Sequence, residues 1–237
     1  MPARRLRILP EPHPADARFD AACRRCARLA AFLDQVRAEH PSYHCAPVPP
    51  FGDAAARLLV VGLAPGMHGA NATGQPFTGD FAGILLYQTL HQFGFANLPD
   101  AVSAGSAMRL ADCRITNAVK CLPPANRPTP AEAANCNGYL AADLATLPVG
   151  GAVLALGRIA HDAVLRALGE RLSAHPFAHG ARHAVAGGTL ALFDSYHCSR
   201  YNTNTRRLTD AMFRDVVAAV AVHVRAPASA AGVGARA

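Results

Sequence analysis

The sequence predicts an α/β domain in which helices cover both faces of a mainly parallel sheet. Two observations carry this expectation: short apolar runs alternate with longer segments of helical period, and the loops that follow the runs hold the unusual polar residues. Size is a third, since 237 residues suffice for one sizeable core and are too few for two generous ones. We expect a leader over residues 1–17, one domain over 18–224, and an Ala/Gly-rich flexible tail over 225–237.

The elements follow in order. From Arg18 to Glu39, Phe19, Cys23, Cys26, Leu29, Leu33 and Val36 recur near helical spacing among charged residues, which predicts a helix. A proline-rich linker, Pro41 to Pro50, comes next. Arg57 to Val61 reads as a buried strand that breaks into Gly62-Leu63-Ala64-Pro65-Gly66, where glycines let backbone approach a ligand. A loop from Asn71 to Asp80 leads into a helix ending near Phe93. Arg114 to Val119 is a second strand, and Thr129-Pro130 opens the next helix as N-cap and first helical residue. Ala152 to Leu156 and Thr189 to Phe193 are further strands, the first followed by a helix from Ile159 to Leu168 and the second by a polar loop. The last helix spans about Arg207 to Val224.

Hydrophobic residues make up 51% of the chain against 16% charged, a balance that excludes extensive disorder. No apolar run is long enough for a membrane span and the N-terminus lacks a secretory h-region, so a cytoplasmic protein is expected. The net charge of +7 suits a polyanionic partner without requiring one. Seven cysteines, an odd number, do not suit a disulfide framework in a reducing compartment. Cys23 and Cys26 form a Cys-x-x-Cys pair, while Cys121 and Cys136 bracket the loop after the second strand. Two such pairs can close on a structural zinc or on an iron-sulfur cluster, and spacing does not separate the two. Cys113 and Cys45 read as small buried hydrophobes.

Four stretches carry a resemblance. They are Gly62-Leu63-Ala64-Pro65-Gly66 running through Asn71, Phe77 and Thr78-Gly79-Asp80; Ile115-Thr116-Asn117-Ala118-Val119-Lys120-Cys121 with Pro123 to Pro130; Leu156-Gly157-Arg158; and Tyr196-His197-Cys198-Ser199-Arg200-Tyr201-Asn202-Thr203-Asn204 through Thr209. In this order they resemble type-B (family five) uracil-DNA glycosylases, and the likeness extends from Cys23 to the last helix. It implies a three-layer α/β/α fold around a four-stranded, mainly parallel sheet, and a structural [4Fe-4S] cluster on Cys23, Cys26, Cys121 and Cys136. It further implies a monomeric, monofunctional enzyme of bacterial or archaeal type acting on DNA that contains uracil or other deaminated or damaged bases: hypoxanthine, xanthine, ethenocytosine. A catalytically inactive iron-sulfur protein that only binds damaged DNA is the alternative reading.

Breaking an N-glycosidic bond builds positive charge on the sugar and negative charge on the departing base, so donors must face the base and anionic or dipolar groups the sugar. The resemblance implies that His197 donates to the pyrimidine, that Phe77 stacks on the flipped base and that Asn117 reads its edge. Gly62 and Ala64 belong to the same base-binding set. Asn71, through its amide, or Asp80, as a base, would position or activate water; for Asp80 a helix N-cap is the competing role. Arg200, Asn202, Arg206 and Arg207 should meet the DNA backbone, with Lys120, Arg127 and Arg158 as further phosphate candidates. Type-A relatives carry Glu where this chain has Leu63, so its chemistry must rest on other groups. Ala72 and Gln75 stand where arginines are frequent, Cys198 replaces the usual proline and Arg206 a common glycine.

Overall fold

The apolar runs read from the sequence form the middle of one sheet. The computed structural model describes residues 18–101 and 107–226; the expected leader and the expected tail from residue 227 onward lie outside them. Strands β1 (Phe51–Gly52), β2 (Leu58–Gly62), β3 (Cys113–Asn117), β4 (Gly151–Leu156), β5 (Arg182–Val185) and β6 (Leu190–Ser195) pair in the order β1-β3-β2-β4-β6-β5. The four central strands β3, β2, β4 and β6 are parallel, matching the expected four. Two short antiparallel strands, β1 on β3 and β5 on β6, extend the sheet to six among the described residues. Neither edge strand was anticipated: β1 is two residues long, and β5, Arg182-His183-Ala184-Val185, lacks an apolar run.

Alternate residues of each central strand enter different cores, as the pleat requires. Leu58 and Val60, Leu154 and Leu156, and Phe193 pack with α3 (Phe81–Gln92) and α7 (Asp210–Arg225). Leu59 and Val61, Val153 and Ala155, and Leu192 pack on the other face with α4 (Pro130–Ala145) and α5 (Arg158–Ala167). The result is three layers, α/β/α. The connection after β2 runs to α3 on one face, whereas those after β3 and β4 run to α4 and α5 on the opposite face. A crevice therefore opens beyond the carboxyl ends of these strands, where ligands of open α/β sheets bind.

The first helix is shorter than expected. α1 covers Ala27–Glu39, with Cys26 as its N-cap and Cys23 at the end of a turn ahead of it. Asp20 causes this: its Oδ1 accepts from Ala22 N–H at 2.8 Å and its carbonyl from Cys23 N–H at 3.2 Å, closing a turn that competes with helix. The polar segment after β6 also departs from expectation, because α6 (Arg200–Asn204) forms there behind Ser199, whose hydroxyl accepts from Asn202 N–H. A second short helix, α2 (Ala70–Thr73), interrupts the loop after β2. Thr129 caps α4 as expected, and Glu132 completes a reciprocal capping box. Glu132 also accepts from Arg28 of α1 at 2.8 and 2.7 Å, bolting α1 to α4 beside the cysteines.

Candidate active site and cysteine centre

Loops from the ends of β2, β3 and β6 meet around a cavity of about 230 Å³ lined by Leu63, Ala64, Phe77, Asp80, Asn117 and His197, with Arg200 among the remaining lining residues. This is below the roughly 300–1,000 Å³ of ordinary small-molecule pockets and suits a single flat ring. Parallel register sets Gly62 opposite Asn117 at the sheet's end. A Cβ on Gly62 would collide with Asn117 Oδ1 and would come within 2.7 Å of the Phe77 ring, so only glycine lets both side chains stand where they do. Gly62 is thus buried flooring beneath the cavity, while Ala64 lines it.

Asn117 is 3% exposed, and its Oδ1 has no hydrogen-bond partner among the described residues. A buried amide left this way costs on the order of 1–3 kcal/mol, which a ligand edge would recover. Phe77 is packed in the core on one side and reaches the cavity on the other, its ring stacked on His197 at 5.9 Å and 28°. Core packing, one of the two readings of this residue, is observed, and its cavity-facing side is open to the stacking role that the resemblance implies.

Burial pushes His197 down to about 4, so the imidazole is neutral at pH 7 and carries one N–H. Neither ring nitrogen is hydrogen-bonded within the described residues; the residue's carbonyl is held instead, accepting from Asn202 Nδ2 at 2.8 Å. Asp80 is the N-cap of α3, Oδ1 accepting from Gly83 N–H at 2.9 Å, and it lines the cavity as well. Its second oxygen stands against Gly66 and Gly69; a Cβ on Gly69 would fall 2.6 Å from Oδ2. Burial raises the Asp80 carboxyl above its ordinary value, opposed by the backbone N–H groups of Gly83 and Ala82.

Asn71 is placed apart from these groups. It is fully buried, its Nδ2 3.5 Å from Cys45 Sγ, and its backbone ties the loop down through Asn71 N–H to Gly66 O and Cys45 N–H to Asn71 O. Asn71 is not among the residues that line the cavity, and its Oδ1 has no hydrogen-bond partner among the described residues. At the rim, Arg200 lies over Phe81 at 5.0 Å and Arg207 over Tyr196 at 4.6 Å, both exposed. Arg206 is exposed with φ 56°. Asn202 is half-buried and serves the His197 loop. Lys120 is no phosphate contact: it is 1% exposed, and its ammonium donates to Asp143 at 2.8 Å and to Thr116. Arg127 and Arg158 are exposed. Asn126 and Phe81 line the cavity as well, and neither was given a role from the sequence: Asn126 lies in a loop without periodicity and Phe81 reads as an ordinary apolar residue at the start of a helix.

Cys23, Cys26, Cys121 and Cys136 gather in a third cluster with Leu29, Leu33 and Tyr139, and all four are free thiols. Burial first, and then one another's proximity, pushes Cys121 up to about 12; burial likewise raises Cys136 to about 11 against Lys120, whose N–H donates to its sulfur at 3.3 Å. Asn135 Nδ2 stands 3.6 Å from Cys26 Sγ. A cation or cluster that takes the thiolate form relieves this mutual strain, and sulfur-directed N–H groups are what such a ligand set needs. Cys113 and Cys45 are buried hydrophobes, as read.

A three-layer α/β/α domain with a small crevice at the sheet's carboxyl end defines an open α/β ligand-binding domain, and comparison with known proteins narrows the class. Residues 49–221 match the model of the uracil DNA glycosylase superfamily. A type-5 uracil-DNA glycosylase of Thermus thermophilus is 46% identical over 201 residues, 83% of this chain and 91% of the relative. One from Pyrobaculum aerophilum is 44% identical over 191 residues, 79% and 82% of the two chains. A type-4 uracil-DNA glycosylase of Archaeoglobus fulgidus is 37% identical over 114 residues, 48% of this chain and 49% of that one. The chain belongs to the uracil-DNA glycosylase superfamily, in its type-5 branch.

Proposed function

We propose that this enzyme hydrolyses the N-glycosidic bond of uracil in DNA, and of hypoxanthine, xanthine and ethenocytosine, and that it carries a structural [4Fe-4S] cluster on Cys23, Cys26, Cys121 and Cys136. The observation that carries the reading is Asn117, a buried amide with an orphaned oxygen in a cavity the size of one base. The extruded base stacks on Phe77 and meets Asn117 with its Watson–Crick edge. Neither end of that amide is hydrogen-bonded among the described residues. It can offer donor or acceptor, which supports a range of edges rather than uracil alone.

As the bond lengthens, charge gathers on the base, and neutral His197 donates its N–H to the pyrimidine O2. A neutral donor suits the role because it holds the proton without transferring it. Asp80 faces the sugar side, where its carboxylate balances the oxocarbenium-like charge and takes a proton from the attacking water. Arg200, Arg206 and Arg207 hold the phosphates around the gap. Cys23 and Cys26 ahead of α1 and Cys121 and Cys136 flanking the loop after β3 would hold the cluster, which would supply a cross-link and no electron transfer, and their ligation would join those segments and so steady Asn117.

The test is excision from oligonucleotides that each carry one of these bases, followed by alkali. Strand scission on uracil is the expected result, with measurable scission on the other three. Retention of DNA binding with no scission on any of them would mark a binding protein instead.

A further inference from the structure

The described residues hold a second group of ligating side chains that neither the cavity nor the cysteine centre uses. Asp194 of β6 follows the alternation of Leu190 and Leu192, so its side chain enters the α4/α5 face, where it is fully buried. Its Oδ1 lies 2.7 Å from Nδ1 of His161 on α5, and its Oδ2 3.2 Å from Nε2 of His183 on β5. One ligating atom from each of the three residues lies within 4.8 Å of the other two. Three different elements supply them: a helix, an edge strand and a central strand.

The far side of His161 is fixed too. Its Nε2 donates to the carbonyl of His175 at 2.8 Å. That is how a metal-bound imidazole is held, with the outer N–H on a carbonyl so that the inner nitrogen turns its lone pair to the ion. Without an ion, both nitrogens of His161 face oxygens, so a proton has to sit between Nδ1 and the Asp194 carboxylate in a fully buried place, an arrangement costly in desolvation.

We propose that His161, His183 and Asp194 bind one divalent transition-metal ion of the zinc class. Two imidazole nitrogens and one carboxylate oxygen form a donor set that suits such ions, and leave a fourth position for water. The His183 side chain is 12% exposed, which gives the ion a route in and the water a place. On binding, the proton between His161 Nδ1 and Asp194 leaves to solvent, and His183 gives up the proton that its Nε2 points at Asp194 and takes the tautomer protonated on Nδ1, so that both inner nitrogens offer lone pairs. The ion then clamps α5 to the β5–β6 hairpin.

The test is zinc binding by the purified protein at micromolar zinc and neutral pH, in the wild type and in His183→Ala. The edge-strand position of His183, away from the cavity, leaves uracil excision by the variant unchanged, which verifies its fold. The wild type should hold one zinc more than the variant, and zinc should raise the melting temperature of the wild type alone. Cobalt in its place should give visible d–d bands without the sulfur-to-cobalt absorption that the cysteines would produce. His183→Gln, which can still hydrogen-bond Asp194 but offers no imidazole, should lose the ion as well. Equal zinc content in wild type and variants, or a cobalt spectrum carried by sulfur alone, would overturn the assignment.

Discussion

Gly62 and Asn117 face each other across the β2–β3 ladder, and the Asn117 amide occupies the space that a Cβ on Gly62 would need. The Phe77 ring closes in from the other side at 2.7 Å. One methyl group would therefore displace both the edge reader and the stacking surface. Gly62→Ala is expected to lower kcat/KM for uracil excision at least tenfold. The overpacking should cost about 1–3 kcal/mol of stability. Steady-state kinetics with a urea melt checks both, and an Ala variant with normal turnover would mean that the amide does not need this position.

His197→Ala should lower turnover on the order of a hundredfold while leaving DNA binding nearly intact, because the N–H acts on charge that exists only in the transition state. The same residue predicts a pH effect on stability. Unfolded, it titrates near 6.5; folded, burial holds it near 4. Between those values the unfolded chain binds a proton that the folded chain does not. Its contribution is therefore complete above 6.5 and is lost as pH falls from 6.5 to 4. His197→Gln should flatten the stability profile in that window, by on the order of 2–3 kcal/mol at its acid end. An unchanged profile would show that the ring is protonated in the fold. Excision between pH 6 and 8 should show no loss from imidazole deprotonation.

Strands β2 and β4 were legible in the sequence because burial on both faces writes itself as unbroken apolar runs, whereas β3, Cys113-Arg114-Ile115-Thr116-Asn117, carries few apolar residues; Asn117 and His197 drew notice because they stand at or just beyond strand ends. The edge strands were not legible, since Arg182-His183-Ala184-Val185 shows no apolar run. The length of the first helix was misread because Cys23 and Cys26 keep helical spacing while Asp20 closes a turn instead. Lys120 looked like a phosphate ligand because charge is visible in a sequence and its buried partner, Asp143, is not. His161, His183 and Asp194 gave no signal at all: they are distant in the chain, and only the β5–β6 pairing with α5 packed alongside brings them together.

Cys121→Ala should bleach the brown absorbance expected of the loaded protein and lower its melting temperature. Cys113→Ala, at a buried position in the core beneath α3, should lower stability by the smaller cost of a cavity and leave the absorbance intact. The contrast separates ligation from packing. An unchanged visible spectrum in Cys121→Ala would refute a cluster at this centre.

Arg206 combines a strained backbone with an exposed charge, and the two can be told apart. Its φ of 56° lies in the left-handed region, which costs a residue with a Cβ about 1–2 kcal/mol relative to its ordinary conformation. Glycine relieves that strain but adds freedom to the unfolded chain, worth roughly 0.5–1 kcal/mol in the opposite direction. Arg206→Gly should thus change stability by less than about 1 kcal/mol, while DNA binding weakens. If the guanidinium neutralises a phosphate, the slope of log affinity against log salt should fall by about 0.9. Binding measured across several salt concentrations decides the matter: an unaltered slope would leave Arg206 as a solvated charge on a tight turn.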